Sequence, residues 1–170
     1  MIQFISNFTN QLKDAQTIGS KLLERKEIQE IQNVIICGLG GSGIGGKIAS
    51  KFAESRCDKP ITTYNSYFLP KFVNENSLVI ISSYSGDTEE TVSALEEAIK
   101  RNCQIICITS GGKVKNLADK YNIEALIIPG GNPPRAMLTY SLTQFLFIFQ
   151  HYKIVKLDAN SEIKNTISLL

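Results

Sequence analysis

Apolar residues along the chain fall into two alternating periods. Five short runs are continuous and rich in β-branched residues: Val34 to Cys37, Ile61 to Tyr64, Leu78 to Ser82, Ile105 to Thr109 and Ala125 to Ile128. Runs of this length and composition predict strands buried on both faces. Between them the apolar positions step by three and four. Thr88 to Lys100 sets Val92, Leu95 and Ala98/Ile99 on one side and Glu89, Glu90, Glu96 and Glu97 on others, which predicts an amphipathic helix. Gly43 to Ala53 and Lys113 to Tyr121 predict shorter ones. Strand and helix alternating in this way imply an α/β domain of doubly wound form, a five-stranded parallel sheet flanked by helices on both faces.

The two ends carry helical patterns of their own. Phe4, Phe8, Leu12, Ala15, Ile18 and Leu22 predict one long helix ahead of the sheet, so residues 1–33 read as a helical segment packing on the domain. Arg135 to Tyr152 predicts a helix whose later part, Phe145-Leu146-Phe147-Ile148-Phe149, is apolar on every side and needs a covering partner. Residues 34–153 then form the domain proper. Residues 154–170 read as the start of a linker or helix, with a cap signal at Ser161 and a periodic pattern that stops mid-course.

Composition narrows the class. With 43% hydrophobic and 20% charged residues in 170, disorder and fibrous readings are excluded. A formal charge of +2 gives no reason to expect nucleic acid or a membrane surface as partner, which leaves a small molecule or another protein. Cys37, Cys57, Cys103 and Cys107 sit in or beside apolar stretches and read as small buried hydrophobes. His151 is the sole histidine, so no zinc-ligand pattern exists and no metal is expected. No signal peptide or membrane-length apolar run is visible, and a cytoplasmic location is expected.

Two loops carry candidate chemistry. Gly38-Leu39-Gly40-Gly41-Ser42-Gly43 follows the first strand, opens a helix and satisfies GxGxxG, whose glycines let backbone N–H groups approach a phosphate. The same glycines also suit a tight strand-to-helix turn, although six between residues 38 and 46 exceed what a turn requires. A dinucleotide site would need an acidic residue after the second strand, where Tyr64-Asn65-Ser66 stands instead. A nucleotide P-loop would need Ser or Thr after Gly46-Lys47, where Ile48 stands. Ser83-Tyr84-Ser85-Gly86-Asp87-Thr88 then gathers hydroxyls at the start of the helix after the third strand. Asp87 with Glu90 resembles a capping box, a reading that leaves Ser83, Ser85 and Thr88 unused. In a flavodoxin-like sheet of order 2-1-3-4-5, both loops flank the point where ligands bind.

Taken together, Gly38-Leu39-Gly40-Gly41-Ser42-Gly43, Ser82 through Thr91, Thr109-Ser110-Gly111-Gly112 and Pro129-Gly130-Gly131-Asn132-Pro133-Pro134-Arg135 resemble the bifunctional phosphoglucose/phosphomannose isomerases. That family lies within the sugar isomerase (SIS) superfamily, and the resemblance covers residues 34 to 150. It implies that Ser42, Ser83, Ser85 and Thr88, with the backbone at Gly41, hold the phosphate of a phosphorylated hexose. It implies an active-site role for Arg135, stabilising an enediolate as glucose 6-phosphate or mannose 6-phosphate becomes fructose 6-phosphate, with no cofactor. A cation at a helix start opposes the helix dipole, so Arg135 otherwise calls for a surface carboxylate as partner.

Isomerisation also needs a base. Glu75 and Glu124 precede strands, Glu89 and Glu90 open a helix, Glu96 and Glu97 lie further along it, and His151 matches no family motif. Members of the family are about twice as long, with a second SIS domain supplying Glu, His and Lys and with paired subunits. The resemblance therefore implies that this chain is the first half, acting with a second SIS domain and a homodimer partner. A different class stays open: a non-catalytic sugar-phosphate sensing or interaction module needs the hydroxyl loop and no base. NAD chemistry rests on GxGxxG alone.

Overall fold

Each β-branched run is a strand, and each strand joins the same sheet. The computed structural model describes residues 6–24 and 30–170, so Phe4 of the expected first helix lies outside the described residues. In chain order the elements are α1 (Phe8–Ser20), β1 (Asn33–Cys37), α2 (Gly40–Ala53), β2 (Ile61–Tyr64), β3 (Ser77–Ser83) and α3 (Glu89–Lys100). There follow β4 (Gln104–Thr109), α4 (Gly112–Lys120), β5 (Glu124–Ile127), α5 (Leu138–His151) and α6 (Ala159–Leu169). Short 3-10 turns cover Lys21–Glu24 and Pro134–Met137.

All strand pairs are parallel and the order is β2-β1-β3-β4-β5, the doubly wound arrangement expected from the sequence. Side chains alternate across the sheet. Along β3, Leu78 and Ile80 join a core with Ala49 and Ala53 of α2 and Phe145 and Phe149 of α5. Val79 and Ile81 join the opposite core with Leu95 and Ala98 of α3 and Val114 and Ala118 of α4. Cys37 and Cys107 belong to this second core, and burial pushes both thiols up to about 12, out of the nucleophilic range.

The cover that α5 demands comes from within the chain. Phe145 and Phe149 turn toward the sheet, while Phe147 packs with Leu12 of α1 and Ala159 and Ile163 of α6; all three rings are fully buried. Gly19 of α1 lets this happen, since a Cβ there would stand 2.0 Å from the Phe147 ring. Several polar groups along the seam find partners, although Gln144 Oε1 is buried without a hydrogen bond among the described residues. Gln144 Nε2 donates to Ala15 O at 2.9 Å, Gln16 Nε2 to Asn160 Oδ1 at 2.8 Å, and the Ala159 amide to Gln150 Oε1 at 2.9 Å. The helix cap signal read at Ser161 belongs three residues earlier: Asp158 is the N-cap, accepting from the amides of Asn160 and Ser161.

The connection from β2 to β3 is fastened to α3 by charge. Arg101 donates to the carbonyls of Leu69, Pro70 and Val73 and to Glu97, which also accepts the Leu69 amide at 2.6 Å. Burial would raise the Glu97 carboxyl, but the Leu69 amide and the Arg101 guanidinium outweigh it and hold it below its ordinary value. Among the described residues no helix is long and apolar enough to cross a membrane.

Phe147→Ala removes the ring that α1 and α6 share and is expected to cost about 3–5 kcal/mol of stability, measured by chemical denaturation. A loss below about 1 kcal/mol would mean that the terminal helices do not seal this face.

Candidate functional site

Parallel pairing with crossover helices sends every strand toward one edge of the sheet, where the next helix begins. At β1 and β3 the crossovers leave toward opposite faces, so a crevice forms between their ends. Both loops singled out in the sequence lie there.

α2 starts at Gly40, three residues earlier than the apolar pattern predicts, so Gly41 and Ser42 form its first turn. Its N-cap position is Leu39, which has no side chain able to accept the first-turn amides. The later glycines of α2 serve packing as well: a Cβ at Gly46 would approach Ile36 Cγ2 to 2.6 Å, so α2 rests directly on β1. α3 begins at Glu89 with Thr88 as N-cap, again without a side-chain cap bond. Two uncapped helix starts therefore converge, each offering N–H groups and the positive end of a helix dipole.

Hydroxyls fill the space between them. The Tyr84 amide donates to Ser42 Oγ at 3.1 Å, joining the β1 loop to the β3 loop. Ser83 Oγ donates to Thr88 Oγ1 at 3.4 Å, and Ser85 Oγ accepts the Asp87 amide at 3.3 Å. The structure thus gathers Gly41, Ser42, Ser83, Ser85 and Thr88 around one crevice. Ser85 is exposed, Ser42 and Thr88 are half-buried and Ser83 is buried. Gly86 makes the sharp turn possible: its φ is +75°, and a Cβ would stand 1.8 Å from Gly111 O.

The capping box expected at Asp87 does not form. The carboxylate turns away from α3 and accepts the Lys113 amide at 3.0 Å, satisfying the start of α4. Glu89 points toward Tyr67, whose hydroxyl approaches it at 3.4 Å. Negative charge from Glu90 first, with some burial and the contact to Glu89, raises the Tyr67 phenol above its ordinary value. Both carboxylates nearest the hydroxyl loop are therefore engaged elsewhere, which relieves the repulsion an anion would otherwise meet there.

Arg135 lies in the 3-10 turn Pro134–Met137, just ahead of α5 rather than within it. It is exposed and forms no ion pair among the described residues, so the surface-carboxylate partner is not what places it. Pro134 is the neighbour that approaches Gly41, at 3.9 Å from the position of a Cβ there, and this brings the turn beside the crevice. His151 sits at the far end of α5, about 20 Å away along a helix of this length. It is buried, with its ring edge-on to Tyr152 at 4.9 Å, which is a packing role.

A larger cavity, about 280 Å³, opens on the β2 side of the glycine turn between Gly38, Gly40, Gly43, Lys47, Thr63 and Asn65. It contains no carboxylate where a dinucleotide ribose would need one. Sequence reasoning missed the tie between Ser42 and Tyr84 and the pair of bonds from Ser110 to the Tyr84 carbonyl, at 3.0 and 2.6 Å. Neither leaves a periodic signal, because both join loops distant in the chain.

A family model described as the SIS domain matches residues 27–152. Over 170 residues the chain is 37% identical to the bifunctional phosphoglucose/phosphomannose isomerase of Caldicellulosiruptor bescii, matching 100% of this chain and 50% of that protein. The chain spans about half the length of the curated relatives it matches. Among solved structures, the C-terminal domain of glucosamine-fructose-6-phosphate aminotransferase from Francisella tularensis aligns with a TM-score of 0.71 at 18% identity, over 99% of this chain and 54% of that one. The Vibrio vulnificus NanR protein, solved with ManNAc-6P, aligns with a TM-score of 0.66 at 17% identity, over 98% of this chain and 66% of that one. These two likenesses concern the fold. The matched residues take in the sheet, both loops and the Pro-Pro-Arg turn, and the chain belongs to the SIS domain family.

Proposed function

We propose that this chain is the phosphosugar-binding half of an aldose–ketose isomerase that interconverts glucose 6-phosphate or mannose 6-phosphate with fructose 6-phosphate. The observation that carries the reading is the crevice between β1 and β3. There four neutral hydroxyls and two uncapped helix starts converge while Asp87 is drawn off to α4. A phosphate dianion suits such a place, since hydroxyls and amides donate to it without a metal. In this reading Ser42, Ser83, Ser85 and Thr88, with the Gly41 amide, hold the phosphate.

Arg135 at the rim then faces the sugar. A base removes the proton from C2 of the open-chain aldose, charge develops on the C1 oxygen, the C2 hydroxyl proton passes to that oxygen, and the first proton returns to C1 to give the ketose. A guanidinium beside that oxygen stabilises the enediolate. The base comes from outside this chain, in a second SIS domain or a partner subunit, because Glu89 faces Tyr67 and Asp87 faces Lys113. The likeness to the isomerase of Caldicellulosiruptor bescii, a protein of twice the span, supports this division of labour. No organic cofactor enters the scheme, and a cytoplasmic location suits a metabolic role of this kind.

One observation favours a second reading, a non-catalytic sugar-phosphate module: Asp87 and Glu89, beside the hydroxyl loop, are bonded to the Lys113 amide and to Tyr67. The NanR protein, a neighbour in fold, was solved with a phosphosugar.

Ligand-dependent melting tests both. Fructose 6-phosphate at a hundredfold excess over Kd is expected to raise stability by about 2.7 kcal/mol, a shift of roughly 5–10 °C for a chain of this size. Inorganic phosphate should shift it less and NAD not at all. Ser85→Ala is expected to weaken both phosphate ligands about tenfold or more, whereas Arg135→Ala should erase only the advantage of the sugar. A shift with NAD alone would overturn the site assignment. Isomerisation by this chain is expected below the ordinary range of about 1 to 1000 per second, read in a coupled assay, and turnover inside that range would place a base within it.

A further inference from the structure

Tyr84 touches three of the loops around the crevice. Its amide donates to Ser42 Oγ at 3.1 Å, and its carbonyl accepts the amide and hydroxyl of Ser110. Its phenolic oxygen accepts the Asn132 amide at 3.0 Å. The ring is half-buried and, with Gly41, Ser42, Ser82, Pro134 and Ser141, borders a void of about 10 Å³, so it lies beneath the α2 turn.

The bond to Asn132 matters because of its place in the chain, three residues ahead of Arg135. Gly130, Gly131, Pro133, Pro134 and Arg135 are all exposed. Among the described residues, the Asn132 amide is the one backbone donor from 129–135 with an acceptor outside that segment, while the Asn132 side chain turns back to Gly130 O. From Asn132 the chain runs through two prolines whose rings fix φ, with Pro133 at −58°, and the next residue is Arg135. A stiff arm anchored at its base holds its tip; a flexible one would not. The phenol of Tyr84 is that anchor, and its own amide is bonded to the serine of the other loop.

We propose that Tyr84 is a positioning residue: its phenolic oxygen holds the Asn132 amide so that the Pro133-Pro134 arm presents Arg135 to the sugar of a ligand whose phosphate lies on the hydroxyl loop. The proposal rests on the reading in which Arg135 faces that sugar. It assigns Tyr84 no contact with the ligand.

Tyr84→Phe removes the phenolic oxygen and keeps the ring. By NMR hydrogen exchange, the Asn132 amide is expected to exchange about three- to tenfold faster, as the loss of one hydrogen bond implies. The Ser110 amide, bonded to the Tyr84 carbonyl, and the amides of β3 should stay protected, which also reports that the variant is folded. In titrations, Tyr84→Phe should lose the preference for fructose 6-phosphate over inorganic phosphate to the extent that Arg135→Ala does. Phosphate affinity itself should be unchanged, and the double variant should be no worse than Arg135→Ala alone. A purely structural tyrosine would weaken both ligands equally, and that result overturns the proposal. Unchanged exchange at Asn132, or additive losses in the double variant, overturns it as well. A wild-type chain without preference for the phosphosugar removes the Arg135 reading and the role of Tyr84 together, whereas a preference that survives in Tyr84→Phe removes only the latter.

Discussion

The hydrogen bond from the Tyr84 amide to Ser42 Oγ closes a gap that sheet topology opens. β1 and β3 run side by side, with Cys37 opposite Ile81, yet their crossover helices leave toward opposite faces. α2 and α3 start on opposite sides of this gap and leave their first-turn amides facing a common space. The geometry follows from the strand order, because a right-handed crossover reverses faces where the order reverses. Residues with hydroxyls occupy that space, and the backbone-to-side-chain bond from Tyr84 to Ser42 ties the two loops to each other.

Electrostatics at the crevice depend on where acids are sent. A loop carrying Asp87, Glu89 and Glu90 would be a poor anion site if all three faced inward. Asp87 instead completes the start of α4, and Glu89 approaches Tyr67. The same bond that caps α4 therefore lowers the negative potential at α3, so one carboxylate serves stability and leaves the site to neutral donors. Gly86, at φ +75° and pressed against Gly111 O, is the hinge that lets the backbone turn far enough to do this.

Much of this was readable from the residues alone. The five strands and the helices between them follow from the contrast between continuous apolar runs and three-four spacing, and the observed strand order matches the expectation. Ser83, Ser85 and Thr88 were visible because hydroxyls beyond the needs of a cap stand out, whereas Ser42 entered through the family resemblance alone. Other features were not. Asp87 and Glu90 fit a local capping pattern, and only the tertiary approach of α4 shows why Asp87 chooses another helix. The α5 aromatics demanded a cover but could not name it; α1 and α6 supply it, so the half-length span of the chain rests on comparison with its relatives and not on an uncovered helix. The role of Tyr84 was hidden for the same reason, since its partners lie 42, 26 and 48 residues away.

Everything proposed for function requires that a phosphosugar enter the crevice between β1 and β3 and not the larger cavity beside β2. Amide chemical-shift mapping by NMR during titration with fructose 6-phosphate distinguishes the two places. The largest changes are expected on the amides of residues 41–43 and 83–89, with smaller ones near Arg135. Changes centred on Lys47 and residues 63–65, with the serine loop unmoved, would contradict the assignment.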